Sequence, residues 1–395
     1  MKKIYLDHNA TTPTHPEVVK AMLPYYEEVF GNASSIHKFG QEAKKAIDEA
    51  REKVAEFISA KPEEIVFTSG GTEANNFAIK GVAYSNQERG KHIITSSVEH
   101  HAVLNPCGYL EKKGFKVTYL PVDKYGLVDP EDVKKAITKE TILVTIMHAN
   151  NEVGTIQPIA EIGKIIKEAS TNNKQKIYFH TDAIQSVSKI PINVDELNVD
   201  LLSLSGHKIY GPKGIGALYI RKGTKIEPLI HGGHHERNRR AGTENVPAIV
   251  GLGKAIEIVK EDMEKEAIYL TNLREKLYQG IINKVDNVYL NGHPSKRLPN
   301  TLNLCFEFVE GESIILNLDM KGVAVSSGSA CTSGSLEPSH VLSAMGVPPA
   351  LAQGSIRFSL GRFTTEEDID YVVEVLPQII SRLRAMSPLY KKRKE

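Results

Sequence analysis

The chain carries almost no net charge, with 49 Lys and Arg against 48 Asp and Glu over 395 residues, a formal balance of +1. Such a surface offers no field for nucleic acid or an anionic membrane. Long apolar runs are missing as well. No stretch approaches the roughly eighteen residues of a membrane helix, and the opening residues Met1-Lys2-Lys3-Ile4 lead into no apolar signal region, so a cytosolic protein is expected. Cysteine is scarce: three residues, at 107, 305 and 331, odd in number and far apart, exclude a disulfide framework and a cysteine-based metal cluster. The only basic run, 391–394, sits at the end of the chain and reads as a solvated tail. Repeats and low-complexity linkers are absent.

What is present is an ordinary globular composition, 41% hydrophobic and 25% charged, in a chain longer than one core usually supports. Strand-like runs at 64–68, 92–95, 116–120, 142–147, 176–180, 201–204 and 215–220 alternate with amphipathic stretches such as 43–58, where Ala43, Ile47, Ala50, Val54 and Phe57 keep helical spacing. This alternation predicts an α/β fold: a seven-stranded, mainly parallel sheet with helices on both faces. Beyond about residue 260 a long charged helix and shorter strands predict a smaller α+β domain. The expected division is a large domain over 15–260 and a small one over 261–395 together with 1–14.

The apolar run that begins at Leu201 ends in Ser205-Gly206-His207-Lys208, and an earlier run, Ile177-Tyr178-Phe179-His180-Thr181, ends in Asp182. Both residues fall at the carboxyl ends of strands, where open α/β sheets bind ligands. A lysine for a Schiff base and an acid for a pyridinium nitrogen are what pyridoxal 5'-phosphate requires. Gly70-Gly71-Thr72 stands between a strand and a helix, either as a tight turn capped by Thr72 or as a phosphate site with Ser205 and His207 as further donors. His100 follows a strand and precedes a helix, where it could cap the helix or, with its near-neutral pKa, move protons. Arg357 interrupts an apolar strand and demands an anion, either an internal carboxylate or that of a substrate. His231, His234 and His235 flank a Gly-Gly break that spoils helical metal-ligand spacing, so no metal site is expected. Cys107 lies in a helix-like stretch and Cys305 in an apolar strand. Cys331 differs, lying among Ser326, Ser327, Gly328, Ser329, Ala330, Thr332 and Ser333, a composition that predicts an exposed loop and a nucleophilic thiol.

Taken in order, Tyr5-Leu6-Asp7-His8-Asn9-Ala10-Thr11-Thr12, Ser69-Gly70-Gly71-Thr72-Glu73-Ala74-Asn75-Asn76, Asn150-Asn151-Glu152-Val153-Gly154, the Asp182 and Lys208 segments and the Cys331 loop resemble the cysteine desulfurases of the NifS/IscS type, from about residue 4 to residue 375. The resemblance implies the fold type I of pyridoxal-phosphate enzymes, with the cofactor phosphate on Gly71, Thr72, Ser205 and His207 and on Thr243 of a neighbouring subunit in a homodimer. It implies His100 stacked on the pyridine ring, Asn151 and Gln185 on the phenolic oxygen, Asp182 on the ring nitrogen and Lys208 as covalent anchor and proton carrier. Arg357 and Asn151 would bind L-cysteine, and Cys331 would take its sulfur as a persulfide, leaving L-alanine. The sulfur would pass to an iron–sulfur scaffold or another acceptor protein. Glu236, Arg239 and Arg240 are implied at the subunit interface. His8 departs from the Asn common in the family. A selenocysteine lyase would share nearly all of these features, whereas a plain aminotransferase would have no use for Cys331.

Overall fold

The computed structural model describes residues 3–327, 338–388 and 390. Cys331 lies outside the described residues. The first strand, β1 (Ile4–Tyr5), stands apart from the seven that follow: β2 (Ile65–Thr68), β3 (His92–Ser96), β4 (Lys116–Leu120), β5 (Thr141–Thr145), β6 (Tyr178–Asp182), β7 (Leu201–Ser205) and β8 (Gly216–Ile220). These seven form one sheet in the order β2-β8-β7-β6-β5-β3-β4. Only β8 runs against its neighbours; the pairs β7-β6, β6-β5, β5-β3 and β3-β4 are parallel.

Every residue of β2, β3, β5, β6, β7 and β8 is buried, whereas the edge strand β4 is partly exposed. Burial on both faces is why these strands read in the sequence as continuous apolar runs rather than alternating ones. The expected strand positions hold to within two residues; the largest shifts are in β5, where the apolar Ile146 and Met147 follow the strand's end, and in β6, which runs on through the polar Thr181 and Asp182. Helices Gly71–Asn86 and His101–Glu111 cover one face with the core of Phe77, Ile79, Val82, Val103 and Leu110. The other face packs on Lys38–Phe57, Ile159–Asn172 and the first part of Val246–Ile282. The helix Lys38–Phe57 turns Ala43, Ile47, Ala50 and Val54 inward, the stripe its spacing predicts.

A second core lies around an antiparallel sheet of β9 (Val288–Asn291), β10 (Thr301–Phe306) and β12 (Ser355–Ser359), with β1 pairing in parallel with β11 (Val323–Ala324). The helix Val246–Ile282 is one continuous rod of 37 residues. Its start, through Val259, packs in the first core and Leu270–Ile281 in the second, so the boundary expected near residue 260 falls inside a single helix.

Candidate active site

The carboxyl ends of β6 and β7 meet the segment 9–10 and β12 around a cavity of about 410 Å³, lined by Gly71, Thr72, His100, Asn151, Asp182, Gln185, Ser205, His207, Lys208 and Arg357 among others. Ten residues singled out from the sequence thus face one space. Thr243 is exposed and does not line it, and Cys331 is outside the described residues.

Asp182 ends β6 and is buried at the cavity wall. Its Oδ2 accepts from Asn75 Nδ2 at 2.7 Å and its Oδ1 from the Ile184 amide at 3.0 Å. Burial raises its pKa, against the pull of the Ile184 amide, His100, Asn75 and Lys208. A buried carboxylate of this kind is costly without a cation opposite it. Lys208 leaves β7 through the short turn Gly206–Lys208 and donates from Nζ to the carbonyls of Asn9 and, at 2.7 Å, Ala10. Gln185 donates to the same Asn9 carbonyl at 2.9 Å.

His100 caps the helix His101–Glu111, its Nδ1 accepting from the Ala102 amide at 3.0 Å. His100 is therefore a helix cap, the first of the two sequence alternatives, and it also faces the cavity. Acceptance at Nδ1 leaves the ring proton on Nε2. Burial lowers its pKa, as it does that of His207, which falls to about 4 with help from Lys208. At neutral pH both rings are uncharged.

The helix Gly71–Asn86 points its N-terminus at the cavity, and no side chain caps it. Nearby, Ser205 Oγ is buried without a hydrogen-bond partner. Uncapped amides, an orphaned hydroxyl and the neutral ring of His207 form a donor set suited to a phosphate. A Cβ at Gly71 would meet Ile184 Cδ1 at 2.1 Å, so a larger residue there would require the Ile184 side chain to move. The residues present therefore fit pyridoxal phosphate at both ends, with acceptors for a cation at Asp182 and donors for an anion at the turn.

Arg357, in β12, is buried, with NH2 on Asp7 Oδ1 at 2.7 Å and NH1 on the Asn151 carbonyl at 3.1 Å. Its Nε has no hydrogen-bond partner although it is buried. An internal ion pair and a vacant donor thus coexist on one guanidinium that lines the cavity.

Three contributors lay beyond the sequence reading. Asn9 ties the site together: its amide donates to Ser359 Oγ at 2.9 Å, its Nδ2 to Thr301 Oγ1 at 2.9 Å and to the Asn151 carbonyl at 3.1 Å. Asp7 holds Arg357. Asn75 holds Asp182; a polar residue on the buried face of Gly71–Asn86, between Ala74 and Ala78, was its available signal. Glu236, expected at an interface, is instead buried within its own chain against Arg51 at 2.7 Å.

Cys107 and Cys305 are both buried. Burial pushes the thiol of Cys107 up strongly and that of Cys305 to about 11, so neither supplies a thiolate.

The aminotransferase class-V family model matches residues 4–372. A cysteine desulfurase IscS of Dictyoglomus turgidum is 62% identical over 387 residues, 98% of this chain and 97% of that protein. One from Methanosarcina thermophila is 58% identical over 98% of this chain and 94% of its own length. Among solved structures, a NifS-like protein superposes with TM-score 0.91 at 42% identity, covering 97% of this chain and all (100%) of the other. A structure described as SspA in complex with cysteine superposes with TM-score 0.81 at 42% identity, over 92% of this chain and 100% of that one.

Proposed function

This chain belongs to the class-V aminotransferase family, and within it to the NifS/IscS-type cysteine desulfurases, and we propose that Cys331 is the residue on which it collects sulfur. The enzyme depends on pyridoxal phosphate and converts L-cysteine to L-alanine. What carries the reading is the meeting of Lys208 with a buried Asp182, whose two hydrogen-bond donors are neutral, in one cavity with an uncapped helix N-terminus.

When bound, pyridoxal phosphate supplies an electron sink for charge that develops at the Cα of the substrate. Asp182 would hold the proton on the ring nitrogen, the cation its burial calls for. Thr72, Ser205, His207 and the Gly71 amide would hold the phosphate. Gln185 and Asn151 would orient the phenolic oxygen with neutral amides, and His100, uncharged and flat, would cover the ring. The vacant donor of Arg357 would take the substrate carboxylate, fixing the amino acid against Asn151. Lys208 Nζ, held by two backbone carbonyls, would move the Cα proton. Cys331 as thiolate would attack the substrate sulfur: the S–S bond forms, Cβ–S breaks, and the carbon is protonated to alanine, leaving a persulfide. The buried, protonated states of Cys107 and Cys305 support giving this role to the third thiol.

The active unit we propose is a homodimer in which Thr243, exposed in its own chain, completes the partner's phosphate site. An iron–sulfur scaffold or another thiolation protein would then accept the sulfur. No observation favours selenocysteine as the preferred substrate. No helix among the described residues is long and apolar enough to cross a membrane.

Cys331→Ser tests the central assignment, because serine keeps size and polarity but is not a thiolate. L-Cysteine should still shift the visible spectrum of the bound cofactor while alanine and sulfide fall to background. Substantial alanine from this variant would mean that sulfur leaves by elimination, and the enzyme would be a lyase.

A further inference from the structure

Three consecutive residues that are not glycine, Glu236, Arg237 and Asn238, have positive φ of 46°, 56° and 64°. Side chains crowd the following carbonyl in this left-handed backbone, so such residues normally occur singly. Something outside the turn must hold it. Glu236 carries that constraint, with Oε1 and Oε2 each accepting at 2.7 Å from the two ends of the Arg51 guanidinium and Oε2 also accepting from the Phe67 amide at 2.9 Å. The pair is nearly sealed, at 4% and 3% side-chain exposure, and Arg51 lies over the Phe67 ring at 4.6 Å while donating to the Ile65 carbonyl at 2.8 Å.

Sealing an ion pair rarely stabilises a fold by itself, and holding strained backbone adds a further cost. Where the tie lands is informative. Phe67 precedes the turn that carries Gly71 and Thr72. On its far side Arg240 holds Glu73, with Nε at 2.9 Å from Oε1, and Glu73 Oε2 accepts from the Ser69 amide at 2.8 Å. The segment 236–240 therefore spans the turn as a brace, fixed to the strand before it and the helix after it.

We propose that Arg51 and Glu236 are a positioning pair for the phosphate end of the cofactor pocket, bracing the turn Gly70–Gly71–Thr72 through the left-handed backbone of residues 236–238. The pair touches neither cofactor nor substrate and acts through the placement of the Gly71 and Thr72 amides. The inference rests on the reading that this turn takes the phosphate.

Binding of pyridoxal phosphate and of pyridoxal, which lacks the phosphate, to the cofactor-stripped enzyme separates this role from general stability. The wild type should strongly prefer the phosphorylated form. Glu236→Gln should lose about tenfold of that preference, the equivalent of roughly one hydrogen bond, with pyridoxal binding unchanged. A double variant, Arg51→Met with Glu236→Leu, removes both charges together and keeps the fold testable by thermal melting; it should lose at least as much. Arg237→Gly in the Glu236→Gln background should recover part of the preference, since glycine adopts this backbone without strain. Full preference in a folded double variant would overturn the proposal and leave the pair a core contact, and so would no recovery with glycine. A wild type that binds both forms alike would instead overturn the phosphate reading of the turn.

Discussion

The floor of the pocket is the carboxyl edge of a single sheet, whereas its roof is a junction of segments far apart in the chain. Asp182 and Lys208 leave adjacent strands, β6 and β7, whose every residue is buried, so their places follow from strand register. Above them, Arg357 in β12, Asp7 and Asn9 near the start and Asn151 are joined by side-chain and carbonyl hydrogen bonds, and the segment at Asp7 also bridges β12 at Ser359 through its backbone. A floor set by a packed sheet is rigid before anything binds. The roof has one ion pair already made and one guanidinium donor still vacant, which suits a group that must accept and release a substrate. The floor should therefore govern the chemical step and the roof the binding step.

The largest expected effect lies in the floor. Lys208→Ala should remove the absorbance of bound cofactor and take alanine formation to background, and Asp182→Asn, equal in shape, should cut kcat by roughly 10²–10⁴-fold. An Asp182→Asn variant with a normal kcat would break the contrast at once. In the roof, Arg357→Lys exchanges a fork for a point charge. It should raise KM for L-cysteine by roughly tenfold or more while kcat moves far less; a fall in kcat at constant KM would assign Arg357 to the chemistry.

Behind the floor, Glu99 Oε1 accepts from Ser96 Oγ at 2.6 Å and the Met147 amide at 2.9 Å, yet burial pushes its pKa up to about 8. The folded state thus holds a proton that the unfolded chain releases near pH 4.5, so this residue's contribution to stability declines as pH rises from there towards 8. Glu99→Gln should remove that decline, making the melting temperature relative to wild type climb between pH 5 and pH 8. Equal pH slopes would show that Glu99 ionises normally. The smallest effect is expected at Cys305→Ala, a truncation in β10 beside Asn291 Nδ2 at 3.0 Å. It should cost about 1 kcal/mol of stability and leave turnover unchanged, as measured by denaturant unfolding and alanine release.

The floor was legible in the sequence because strands end in chemistry there: an apolar run stopping at Asp182 or Lys208 is a local signal. The sheet was legible for the same reason, with boundaries blurred where Asp182 prolongs β6 in a polar residue and where the apolar Ile146 and Met147 continue past the end of β5. Arg357 announced itself as a charge in an apolar strand, but its partner Asp7 could not, since no local pattern joins residues 350 positions apart. Asn9 escaped assignment similarly; its motif was visible, but its bonds to Thr301, Ser359 and Lys208 exist only once two cores close on each other. The brace at 236–238 escaped because the residues Glu-Arg-Asn carry no glycine to advertise a left-handed turn.

The pairing of β1 with β11 has a consequence in time. Ile4 lies beside Val323, and Ile4 and Leu6 fill a core whose other members come from residue 270 onward. At synthesis rates of roughly 5–20 residues per second, the opening strand waits roughly 15–60 seconds for its partner to be made. Through that interval Asp7 has no Arg357 to hold and Asn9 no Ser359 to bond. On the ribosome, the sheet can assemble early and the active site is finished last, when the two ends of the chain meet.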